Sequence, residues 1–173
     1  ETGGQINGLV TVNDGSLSNN GTGTTINDGL LQTGGVVYNE NGADIEDGAQ
    51  VQGGLLINQT GATIHGGVAG SNNGAIVNNG ATVYDGVTLN DVSTFDNQSG
   101  GVVNGTVKVG TGAGDQSTFT NEDGANIVGN VDVHGSPATP GGANLINQNG
   151  GTITGAVHSY NSSVINNYGL ING

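Results

Sequence analysis

Leu56-Ile57-Asn58-Gln59-Thr60-Gly61-Ala62-Thr63-Ile64-His65-Gly66-Gly67-Val68 is the stretch from which the fold can be read. Leu56 and Asn58 lie two apart, so side chains alternate with the period of a strand, and Ile64 and Val68 stand on either side of the next glycine corner. The two short strands are separated by Gly61 and ended by Gly66-Gly67, residues that tolerate the backbone angles of tight corners. No window of useful length carries a 3.6-residue apolar period, so an all-β chain is expected.

Working outward, the same order returns eight times. An apolar residue, a spacer, Asn and then Gly occur at Leu17/Asn19/Gly21, Val37/Asn39/Gly42, Leu56/Asn58/Gly61 and Ile76/Asn78/Gly80. They occur again at Phe95/Asn97/Gly100, Phe119/Asn121/Gly124, Leu145/Asn147/Gly150 and Val164/Asn166/Gly169. A second column follows each of these glycines: Ile26, Ile45, Ile64, Val83, Val103, Ile127, Ile153 and Ile171, with Ile6 as its first member. A third apolar group comes after the next glycine, at Val10 and Val12, Val68, Val87 and Leu89, Val107 and Val109, Val131 and Val133, and Val157. The second and third copies fit this group loosely, through Leu30, Leu31 and Val51.

A repeat of this length cannot bury its apolar side chains alone, and stacking equivalent strands buries them together. The expected architecture is a single-stranded parallel β-helix, or β-solenoid, of about eight coils of 19–26 residues. It spans residues 1–173 as one domain or as a piece of a longer rod. In such a stack Asn19, Asn39, Asn58, Asn78, Asn97, Asn121, Asn147 and Asn166 form a ladder of side-chain amides, each bonded to the next. Two coils are longer, with extra loops near residues 110–118 and 134–144 at equivalent places. Insertions on one side of a solenoid often carry binding, which makes Thr111, Asp115, Gln116, His134, Ser136 and Thr139 the candidate binding-loop residues.

Composition excludes several functions. The net charge is −13, with Lys108 the one basic side chain and no arginine, so phosphate counterion displacement on a nucleic acid is not available. An anionic membrane surface would repel the chain, and no apolar run approaches the ~18 residues of a spanning helix. There is no cysteine, hence no disulfide or thiolate metal site.

The residues offer little for catalysis. His65, His134 and His158 fall in different coils, and Asp44 with Asp47, and Glu122 with Asp123, sit at glycine corners where acids ordinarily make turns. No catalytic residue and no cofactor is expected. A weak calcium site is the one metal option, at Asp28 and Asp47, corner carboxylates of adjacent coils that repel unless a cation intervenes. The regular Thr-x-Thr array of an ice-binding face is not present. Tyr38, Tyr84, Tyr160 and Tyr168 are scattered aromatic groups able to touch sugars or proteins.

Residues 119–131, from Phe119 to Val131, and residues 150–157, from Gly150 to Val157, resemble the passenger-domain repeats of Gram-negative autotransporter adhesins, and the 19-residue spacing is similar to that of the self-associating members. The resemblance covers nearly the whole chain. It implies a right-handed β-solenoid, secreted across the outer membrane to the cell surface and used in adhesion, aggregation or biofilm formation. Its partners would be a second copy of itself or a host surface protein or glycan. Two other functions fit the same residues: a filament subunit joined coil to coil, and a carbohydrate-active β-helix enzyme.

Overall fold

The computed structural model describes residues 3–110, 115–136 and 142–173. Among them there is no helix; the strands form three parallel sheets of nine, eight and eight. Sheet one runs from Gln5–Ile6 to Leu170–Ile171, sheet two from Val10–Val12 to Val157–Tyr160, and sheet three from Ser16–Asn20 to Val164–Asn167. The chain visits the sheets in the order one, two, three and then climbs to the next coil, so each strand pairs with its equivalents on either side.

The isoleucine column is the inward row of sheet one. Ile6 pairs with Ile26, Ile26 with Ile45, Ile45 with Ile64, and so on without a slip to Ile171. From Ile26 to Ile153 every member is fully buried, whereas Ile6 is 46% exposed. Sheet three contributes Leu17, Val37, Leu56, Ile76, Phe95, Phe119 and Leu145 in register. The Phe95 and Phe119 rings stack with centroids 4.9 Å apart and planes 6° from parallel. Like residues fall on like because a parallel in-register ladder sets equivalent side chains one strand spacing apart.

The asparagine ladder is a second inward row of sheet three. Each Nδ2 donates to the Oδ1 of the asparagine in the following coil: Asn19 to Asn39 at 2.7 Å, Asn39 to Asn58 at 2.9 Å, Asn58 to Asn78 at 2.8 Å and Asn78 to Asn97 at 2.9 Å. Asn97 continues to Asn121 and Asn121 to Asn147, both at 2.9 Å. Each Nδ2 also donates to a main-chain carbonyl at the corner leading to sheet one, as Asn39 does to Thr63 and Asn121 to Thr152. All the amides point the same way, so successive bonds polarise one another.

The last rung differs from expectation. Asn147 pairs with and donates to Asn167 at 2.8 Å, and Asn166 lies opposite Ile146 on the outer face. The sequence Val164-Ile165-Asn166-Asn167 fits the repeat in two frames. Strand alternation settles the choice: Ile165 packs inward beneath Leu145, which turns Asn167 inward two residues later.

Sheet two explains the loose fit of the second coil. Leu30 points inward, Leu31 lies between outward Thr11 and Gln50, and Gln32 occupies the inward place held by Val12 and Val51 in the neighbouring coils. Gln32 is fully buried. Its Nε2 donates to the Gly35 and Leu55 carbonyls, while its Oε1 finds no partner. An unsatisfied buried acceptor costs about 1–3 kcal/mol. Gln32→Val, similar in volume and matching both neighbours, is therefore expected to stabilise the chain by about 1 kcal/mol, read as a higher denaturant midpoint.

The corner from sheet one to sheet two is built on glycines with positive φ. Gly48 has φ 85°, and a Cβ there would lie 2.8 Å from the Gly66 carbonyl oxygen. That close approach of coil to coil is why glycine recurs at this place.

Candidate functional site

With the interior occupied by packing and by the amide ladder, the surfaces that can meet a ligand are the outward rows and the corners. The first candidate is the corner between sheets one and two. Asp28, Asp47 and Asp85 line one groove there with Gln50, Thr88 and the corner glycines. Asp47 and Asp85 adopt positive φ, 59° and 66°, and Asp85 Oδ2 accepts from the Gly66 amide at 3.0 Å. Asp28 and Asp47 thus share a groove as the spacing implied. Among the described residues, no three carboxylate or imidazole groups come close enough together to form a metal cage.

The outward row of sheet one carries Glu46, His65 and Tyr84 in successive coils. His65 Nε2 lies 4.0 Å from a Glu46 oxygen, and its ring stacks on Tyr84 at 4.7 Å. On the neighbouring outward row Thr63 donates to Asp44. The outer face of sheet three is not uniformly polar: Val36 and Tyr38, Leu55 and Ile57, and Ala75 and Val77 form half-buried rows across three coils.

Both insertions join sheet two to sheet three, as their spacing predicts. One follows Val107–Val109 and precedes Thr118–Asn121; the other follows Val131–His134 and precedes Asn144–Asn147. Two of the candidate loop residues, however, are not available at a surface. Asp115 is only 5% exposed; its Oδ1 accepts from the Ser117 amide at 2.9 Å and hydroxyl at 2.6 Å, and its Oδ2 accepts from the Asp91 amide at 3.2 Å. Ser136 is fully buried. Asp115 fastens the start of the strand at Thr118 to the coil before it, a structural task that a polar loop residue performs when main-chain groups need partners. Gln116 is exposed and His134 half-buried, while Thr111 and Thr139 lie outside the described residues.

His134 belongs to a cluster that the sequence spacing conceals. Sheet two places Lys108, Asp132 and His158 in one outward row, and His134 and Tyr160 in the next. His158 Nδ1 lies 2.9 Å from Asp132 Oδ1, and the His134 and Tyr160 rings stack at 4.4 Å, 10° from parallel. Lys108, Asp132, His134 and Tyr160 line a hollow of about 420 Å³. The two longer coils separate these residues by 24 and 26 positions, so they read as unrelated until the coil lengths are added. Compared with known protein families, curated proteins and solved structures, the chain matches none.

Proposed function

We propose that this chain is a non-enzymatic adhesive scaffold, displayed outside a bacterial cell and acting in self-association, surface attachment or biofilm formation. One observation carries the reading: all three sheets hold register from coil to coil, so outward side chains recur in straight rows along the rod. Repeated weak contacts along such rows add as avidity, with no single tight site required. The likeness of residues 119–131 and 150–157 to autotransporter passenger repeats supports the same role.

A homotypic contact brings together two chains of net charge −13. Their repulsion is long-ranged at low salt and screened at physiological salt, as the Debye length falls from ~30 Å at 0.01 M to ~8 Å at 0.15 M. Cells displaying the chain are therefore expected to settle and attach faster than cells without it, and faster at the higher salt. Settling and attachment unchanged by its removal would refute the proposal.

A further inference from the structure

We propose that the hollow beside His134 is a binding site for a neutral hexopyranose sugar. This deepens the adhesive reading, and rests on it, by giving the surface a ligand. The argument begins with the ring stack. His134 and Tyr160 are direct partners in adjacent coils, so their 4.4 Å stack runs along the rod. The face of His134 turned away from Tyr160 therefore looks toward the preceding coil. There the chain has Gly110, next to Val109, which pairs with Val133. Glycine places no side chain over that face, and a Cβ on Gly110 would point the other way, into the His134 carbonyl and Ala143. Among the described residues no ring continues the stack at this level, which is about one strand spacing of ~4.8 Å high, the height of one ring.

The edges of this level carry hydrogen-bonding groups with unspent capacity. Lys108 is exposed and makes no hydrogen bond or ion pair with the described residues. Asp132 uses Oδ1 toward His158 and leaves Oδ2 without a bond from the described residues. An ammonium with three donors and a carboxylate oxygen beside it match neighbouring hydroxyl groups, each of which donates and accepts. An aromatic face flanked by a few convergent polar groups is the chemistry of a small-ligand site, and the C–H face of a pyranose fits an aromatic face.

Charge selects the class of sugar. Lys108 and Asp132 are in-register partners, so the site carries little net positive charge, on a chain of −13. An anionic sugar would meet that field unfavourably, and a neutral one would not.

The test is an NMR titration of the intact 173-residue chain with methyl galactoside, methyl glucoside and N-acetylglucosamine, with glucuronate as the anionic comparison. At least one neutral sugar is expected to shift the Tyr160, His134 and Lys108 signals in a saturable way. His134→Ala and Lys108→Ala should each weaken binding about tenfold, and His134→Tyr should retain it. These side chains lie on the outer face, and a circular-dichroism spectrum and unfolding midpoint like those of the parent establish that each variant is folded. Shifts with none of the neutral sugars, shifts elsewhere on the chain, unchanged affinity in folded His134→Ala, or tighter binding of glucuronate would each overturn the site. Cell settling and attachment are measured separately. Adhesion without sugar binding defeats only this site, whereas sugar binding without adhesion defeats the adhesive role and leaves the site standing.

Discussion

Asn97→Asp is expected to be the most damaging single-atom exchange in the chain, worse than Asn97→Ala. Asn97 is fully buried; its Nδ2 donates to Asn121 Oδ1 and to the Gly101 and Asn126 carbonyls, while its Oδ1 accepts from Asn78. Alanine removes these bonds and strands their partners, a loss of about 3 kcal/mol at roughly 1–3 kcal/mol for each buried group left unpaired. Aspartate keeps the bond from Asn78 but turns a carboxylate oxygen toward three acceptors. Burying that charge with Asn78 as its one donor costs several kcal/mol more, so a total of about 5 kcal/mol is expected near neutral pH.

The pH dependence has a definite sign. The introduced carboxyl is disfavoured as an anion only in the folded state, so its folded pKa rises above the unfolded value of ~3.9. The folded state then binds the extra proton, and the penalty is largest above the folded pKa and fades as pH falls toward ~4. Denaturant midpoints of the three proteins at two pH values measure this. An Asn97→Asp variant as stable as Asn97→Ala at neutral pH would mean that the ladder donors are not made.

The second large effect is Phe95→Ala. Phe95 and Phe119 are the largest fully buried side chains and stack directly. Truncation opens a cavity in a narrow interior with coils above and below, and loses about 3–5 kcal/mol. Phe95→Leu, which conforms to the aliphatic residues at the same place in other coils, is expected to lose less than half of that. The pair Phe95→Leu/Phe119→Leu should then be less destabilising than the sum of its singles, because the ring–ring contact of about 0.5–1.5 kcal/mol is lost only once.

Most of the fold is legible in the sequence because the repeat states each strand several times over. One coil alone would be ambiguous; eight with matching columns leave a single register for Ile26 through Ile153. Legibility fails where a coil contains two competing frames, as at Val164-Ile165-Asn166-Asn167, since the pattern of one strand cannot say which apolar residue its neighbour will cover. It fails again at Gln32, a polar residue in an apolar row, whose amide reaches two corner carbonyls that no pattern reveals.

The surface is harder to read than the core. Their place in the insertions makes Asp115 and Ser136 candidates for binding, yet both are buried, because irregular main chain at an insertion needs internal partners. The Lys108, Asp132, His134, His158 and Tyr160 cluster depends on strand pairings that skip 24 and 26 residues. Those are the two coils whose insertions break the regular spacing, so the rhythm that exposes the core conceals the cluster.

The side-chain amides of the ladder offer the most direct measurement. In a two-dimensional NMR spectrum with exchange into heavy water, the Nδ2 protons of Asn39, Asn58, Asn78, Asn97, Asn121 and Asn147 should persist far longer than those of exposed Asn104, and a continuous series of nuclear Overhauser contacts should link each to the next. Ladder amides that exchange as fast as Asn104, or contacts that skip or reorder these residues, would contradict the stacked register.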